Sequence, residues 1–118
     1  MAENLCVKMG GVSSVINITE LRTGTTGTRT LTGSTTATAD GYVYIVGVAF
    51  QAQGTNQTVS CTHNEVNQTA IKETVIDGER VKAFFFSVKT GDTIGVTCTT
   101  PSSSTYASTY YIYQLTIK

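Results

Sequence analysis

The residues best suited to chemistry in this 118-residue chain are two of its three cysteines and its single histidine. Cys61 and His63 are two positions apart, so both side chains would lie on one face of a strand. Together with Cys98 from another strand they could supply three zinc ligands. Structural zinc sites use four ligands, typically with Cys-x-x-Cys pairs at turns, and the sequence has no such pair. We therefore expect buried free thiols, no metal and no other cofactor.

Other catalytic patterns lack a complete set of partners. With a single histidine we expect no complete Ser-His-Asp relay and no multi-His metal site, and Asp40, Asp77 and Asp92 all stand beside Gly or Thr in turn-forming sequences. A side-chain hydrogen bond to the backbone explains aspartates at such positions. The Gly-Thr-Thr-Gly run at residues 24–27 is not followed by Lys-Ser/Thr and is no phosphate loop. The sequence predicts a protein that is not an enzyme, with a small hydrolase as a distant alternative.

An aromatic side chain in a polar loop is the best ligand candidate. Tyr106 lies in a Ser- and Thr-rich segment, residues 102–109. Tyrosine rings pack on sugar faces, and neighbouring hydroxyl groups bond sugar hydroxyls. A glycan site would then consist of Tyr106, Ser104 and Thr105. A flexible loop without a binding role is the alternative.

The charge balance argues against two classes of partner. Eight Lys and Arg residues are matched by eight Asp and Glu residues, which leaves no basic surface for nucleic acid. No apolar run approaches the ~18 residues of a membrane helix, so we expect no membrane insertion. The N-terminus lacks the basic and apolar regions of a signal peptide, so we expect synthesis in a cytoplasm.

The elements that must position these residues are strands, because no helical period occurs along the chain. Turn signals recur every 8–12 residues or so, among them Asp40-Gly41, Asp77-Gly78 and Gly91-Asp92. Asp77-Gly78 suits a two-residue type I′ turn with positive φ at both positions. We expect a single domain, residues 1–118, with residues 1–11 as an N-terminal arm or edge strand. The predicted fold is an all-β antiparallel sandwich of jelly-roll type with about eight strands.

Three predicted strands, residues 42–50, 83–88 and 110–117, carry apolar side chains on both faces. A monomer of this size has no second core to bury the outer faces, so the pattern predicts an oligomer. The expected interface residues are Tyr42, Tyr44, Phe84, Phe86, Tyr111 and Tyr113. The alternative is that residues 22–38 form loops that fold over these faces.

Two stretches resemble a known family. Thr-Ala-Thr-Ala-Asp-Gly-Tyr-Val-Tyr-Ile at residues 36–45 and Val-Lys-Thr-Gly-Asp-Thr-Ile at residues 88–94, with the Asp-Gly hairpin between them, resemble the head domains of bacteriophage tail fibres and related small virion surface proteins. The resemblance covers residues 35–118. Its motifs are turns and core positions that many jelly rolls, capsid decoration proteins included, could share.

The resemblance implies a jelly-roll homotrimer in the virion, made in the host cytoplasm. Its implied partners are other virion proteins and a host-surface glycan. The ligand-contacting loops of such heads vary, so no site residue carries over. The expected role is a fibre, tail-tip or capsid-surface component, and the alternative is a stand-alone carbohydrate-binding module.

Overall fold

The computed structural model describes residues 2–9, 12–26, 30–51, 56–100 and 106–117, with side chains for 17–24, 30–51, 56–100 and 107–116. Every regular element in these ranges is a strand, and they contain no helix. The strands are β1 (Ala2–Met9), β2 (Val12–Thr26), β3 (Thr30–Thr36), β4 (Gly41–Gln51), β5 (Thr58–His63), β6 (Val66–Asn67), β7 (Lys72–Ile76), β8 (Glu79–Val88), β9 (Thr93–Thr99) and β10 (Tyr106–Ile117).

The strands form two antiparallel sheets. The six-stranded sheet has the order β1-β2-β10-β4-β8-β7, and the four-stranded sheet has the order β3-β9-β5-β6. The pairs are nested, because β2 pairs with β10, β3 with β9, and β4 with β8. The chain therefore crosses repeatedly between the sheets, as in a jelly roll. The predicted all-β sandwich is confirmed.

The described residues of the 22–38 segment, 22–26 and 30–38, do not form the covering loops that we considered. β2 extends to Thr26, and residues 30–36 form β3, an edge strand of the four-stranded sheet. Thr is β-branched and suits strands, so a Thr-rich run can pair even where Gly interrupts it. These described residues therefore belong to the sheets or directly follow β3, and they do not fold over the outer face of the six-stranded sheet. At the far edge of that sheet, β1 pairs with the first part of β2.

The predicted Asp-Gly turn connects β7 to β8. Asp77 and Gly78 have φ values of 50° and 81°, as a type I′ turn requires. The Gly78 carbonyl also accepts hydrogen bonds from the Gln51 N–H, at 3.0 Å, and from the Gln57 amide. The turn thus fixes the register of β8 and holds the end of β4.

The core lies between the sheets and is centred on Tyr110. Its side chain is 1% exposed, and its hydroxyl accepts a 2.7 Å hydrogen bond from Arg22 Nε. The ring lies over Gly24 of β2 and reaches Gly33 of β3 in the opposite sheet. A side chain at either glycine would occupy the space of the ring. The two glycines therefore allow the Tyr110 ring to pack against both sheets.

Candidate functional site: an uncovered aromatic face

The candidate site begins with strict alternation along β4. Val43 and Ile45 are completely buried between the sheets, whereas Tyr42 and Tyr44 are 43% and 37% exposed on the outer side. Alternate residues of a strand point to opposite faces, so Val46 and Val48 continue the outer row. β4 therefore offers apolar surface on both sides, as its sequence predicted.

β8 supplies one aromatic residue to the outer side, and it is not one of those we expected. Phe85 pairs with Tyr44 and is 43% exposed, while Phe84 is 1% exposed. Phe86 packs against the core and stacks on His63, with ring centroids 4.7 Å apart. The prediction that Phe84 and Phe86 lie in an interface is wrong. Alternate residues of β8 point to opposite sides of the sheet, and these two side chains point inward while Phe85 points outward.

β10 completes the outer row. Tyr111 and Tyr113 lie opposite Val46 and Tyr44, while Tyr110 and Ile112 point into the core. Tyr111 is 37% exposed and Tyr113 is half-buried. We call the outer surface formed by these side chains the aromatic face. Its members are Tyr42, Tyr44, Phe85, Tyr111 and Tyr113.

The rings of the aromatic face lie nearly parallel within two pairs. Tyr42 and Phe85 stack with centroids 5.2 Å apart and planes 7° apart. Tyr111 and Tyr113 stack with centroids 6.3 Å apart and planes 5° apart. Stacked aromatic pairs are rigid and bury a large area when a partner covers them. The aromatic face is thus preorganised for contact with another surface.

The aromatic face is large enough to bind a protein. β10, β4 and β8, spaced about 4.8 Å apart with about nine residues each at about 3.4 Å, give a projected area of roughly 440 Å². β2 and β7 extend the surface to roughly 700 Å² on the same spacing. A stable interface buries roughly 800 Å² on each partner, so the outer side of the sheet is of comparable extent.

Of the three predicted glycan residues, the structure describes only the backbone of Tyr106. Tyr106 is the first residue of β10 and pairs with Gln51, so the predicted loop ends earlier than expected. Ser104 and Thr105 lie outside the described residues. The proposed grouping of the three residues therefore stays a prediction.

The cysteines and the histidine do not converge on a metal. Cys61 and Cys98 are free thiols, 1% and 0% exposed, and burial raises their pKa values to about 12 and about 11. Such thiols stay protonated and unreactive at neutral pH. Within the described ranges, no group of three His, Cys, Asp or Glu side chains could hold a metal ion.

His63 instead takes part in a polar contact at one end of the sandwich. Its Nε2 lies 2.8 Å from Asp92 Oδ2, and the same oxygen accepts a 2.9 Å bond from the Lys89 N–H. The Lys89 bond, followed by those from His63 and Asn64, lowers the pKa of the Asp92 carboxyl to about 2. These bonds hold the β8–β9 turn against β5, which explains Asp92 without catalysis.

In the described part of the chain, fold and site together define a β-sandwich of jelly-roll type that presents the aromatic face on its outer side. No helix in the described part of the chain is long and apolar enough to cross a membrane. Comparisons with protein-family models, curated proteins and solved structures gave no match. The function must therefore be argued from the surface itself.

Proposed function

We propose that this chain is a non-enzymatic structural subunit of a bacteriophage virion, a fibre, tail-tip or capsid-surface component that assembles as a homotrimer. The observation that carries the proposal is the aromatic face. Its exposed tyrosines and Phe85 are apolar surface that copies of the chain would bury in each other. The turn motifs around Asp40-Gly41 and Gly91-Asp92 support the virion role by resemblance.

A second copy is the occupant that best fits the aromatic face. The face is apolar at its centre, and tyrosine, the commonest residue on it, is enriched at protein interfaces because its ring packs while its hydroxyl stays hydrated. Together with the flanking strands β2 and β7, the outer side of the sheet approaches the area that each partner of a stable complex buries. A closed rotational arrangement of identical subunits would cover this surface on every copy.

The shape of the aromatic face also supports this proposal over its rival. A carbohydrate-binding module would present several aromatic rings in one accessible cleft. Tyr42, Phe85, Tyr111 and Tyr113 instead lie along the outer side of a sheet. An extended aromatic surface without a cleft suits contact with another protein surface, which favours the subunit.

Sedimentation equilibrium of the parent and of two Asp variants tests the assembly. Tyr111→Asp places a charge in the aromatic face and should yield a folded monomer, since a desolvated charge there has no partner. Thr58→Asp, at an exposed position on the four-stranded sheet, is the matched control and should keep the parent's mass. A parent that is monomeric at micromolar concentration would refute the proposal. If the Tyr111→Asp variant is still an oligomer, the subunits contact each other through a surface other than the aromatic face.

The virion role needs a separate observation. If the coding sequence lies among tail or capsid genes, the proposal is supported. If it lies among metabolic genes, and the parent is a monomer that sediments with insoluble polysaccharide, the carbohydrate-binding alternative replaces it.

A further inference from the structure

A second surface feature lies where the edges of the two sheets approach each other. A crevice of about 350 Å³ opens between β5 of the four-stranded sheet and β7 and β8 of the six-stranded sheet. Phe84 and Cys61, both 1% exposed, lie in its wall. The segment from Asn67 to Ala70 forms the rim. We call this cavity the edge crevice.

The edge crevice contains one uncompensated positive charge. Glu73 and Lys82 are cross-strand neighbours that both line it. The Glu73 carboxylate, however, accepts its hydrogen bond from the Arg80 guanidinium. Lys82 is half-buried and forms no ion pair with any described carboxylate. Because Arg80 neutralises Glu73, the ammonium of Lys82 is left to attract an anion.

The rim supplies neutral hydrogen-bonding groups beside that charge. Asn67 and Thr69 are exposed, and Gln68 is half-buried between them. The Gln68 backbone N–H donates to the Cys61 carbonyl at 2.8 Å, and its side chain donates to the Val66 carbonyl at 3.0 Å. These bonds fix the backbone of the rim, which carries the Asn67 amide and the Thr69 hydroxyl beside the crevice.

We propose that the edge crevice binds a saccharide that carries a carboxylate. The carboxylate would pair with the Lys82 ammonium, and the ring hydroxyls would bond Asn67 and Thr69. A charge-assisted bond in a partly desolvated cleft is about twice as strong as a neutral one, so the charge would set the specificity. The volume lies in the ordinary range of small-ligand sites, about 300–1,000 Å³.

The edge crevice and the aromatic face use opposite sides of β8. Lys82 and Phe84 share the inner side, whereas Phe85 points outward. Assembly through the aromatic face therefore leaves the edge crevice open. The role of this site in host attachment rests on the proposed function, but the binding reaction itself does not.

Titration with small sugars tests the site. Glucuronic acid and N-acetylneuraminic acid are the probes, and glucose is the neutral control, each followed by NMR up to about 10 mM, where a millimolar dissociation constant still shows. We expect both acids to shift the amide signals of residues 67–70 and 82, and glucose to shift none. Absence of binding by both acids, or equal binding of glucose, would overturn the proposal.

Variants of Lys82 identify the charge that matters. Lys82→Gln should weaken acid binding about tenfold or more, while Lys82→Arg should keep most of it. Lys72→Gln, which removes an exposed lysine from the neighbouring strand, is the control and should bind as the parent does. Equal losses in the Lys72 and Lys82 variants would show nonspecific attraction and would refute the site.

Two measurements on the same samples separate this inference from the proposed function. Thermal melting shows that each variant is folded, and sedimentation shows its mass. A parent that binds the acids as a monomer would refute the assembly and keep the site. A parent that is a trimer and binds neither acid would refute the site and keep the proposed assembly.

Discussion

Replacement of Gly33 by Ala tests the packing at the centre of the sandwich. A Cβ at this position would overlap Cζ and Oη of Tyr110. Toward β2 the ring already fills the side-chain space of Gly24, since its Cε2 lies 2.6 Å from where a Gly24 Cβ would be. The backbone at Gly33 has no positive φ, so the substitution adds volume without backbone strain.

The expected loss of stability follows from two contacts. Adding one carbon to a packed core costs about 1–3 kcal/mol. If the ring moves, its hydroxyl also loses the bond from Arg22, and a bond to a charged group contributes about 1.5–3 kcal/mol. The surrounding structure can relax partly, so neither the packing nor the hydrogen bond is lost completely. We therefore expect Gly33→Ala to lower the free energy of unfolding by about 2–4 kcal/mol.

Guanidinium denaturation at one fixed protein concentration measures this loss, since the proposed assembly would make stability depend on concentration. A double-mutant cycle with Tyr110→Leu assigns its cause. The leucine leaves space for the new methyl group, so Gly33→Ala should cost little in that background, with a coupling energy of about 2 kcal/mol. An equal cost in both backgrounds, or no cost in the parent, would refute the packing argument.

Three further predictions concern charge, thiols and backbone. The Asp92 carboxyl has its pKa lowered from 3.8 to about 2, so its stabilisation is complete above pH 3.8 and is lost as the pH falls through about 2. The melting temperatures of parent and Asp92→Asn should therefore differ at pH 7 and converge near pH 2, and a constant gap would contradict this. In a Cys6→Ser variant, Cys61 and Cys98 should react with a thiol reagent at pH 8 only after unfolding, and reaction in the native state would contradict their burial. Gly78→Val should lose about 1–3 kcal/mol of stability because its φ is positive, and a variant as stable as the parent would contradict the assigned turn.

The strands that carry the aromatic face were predictable because their patterns are strong. Alternation fixes Val43 and Ile45 inside and the neighbouring tyrosines outside, and Asp77-Gly78 has the residues that a type I′ turn needs. In β8, three consecutive phenylalanines fit either face equally well. The pairing of β8 with β4, in which Phe85 lies opposite Tyr44, determines that Phe85 is the phenylalanine that points outward. This pairing is a tertiary contact, so no local pattern predicts it.

Other features had weaker local signals or none. Asn64 and Glu65 form a turn with φ values of 49° and 68° without any glycine, so the β5–β6 hairpin was not predicted. Asn64 compensates through tertiary bonds, since its side chain accepts from the Thr93 N–H at 2.9 Å. The edge crevice depends on the approach of β5 to Lys82, residues far apart in sequence, and no local pattern encodes it.

The position of β10 between β2 and β4 also has a consequence for the order in which the molecule forms. β10 is the last strand of the chain, yet it occupies the interior of the six-stranded sheet and supplies Tyr111 and Tyr113. Pairing it with β2 closes a loop of most of the chain, which makes this a slow, late step. Before that step the outer row of tyrosines is incomplete. Folding should therefore precede association, and subunits should recognise only partners that have completed their own sheet.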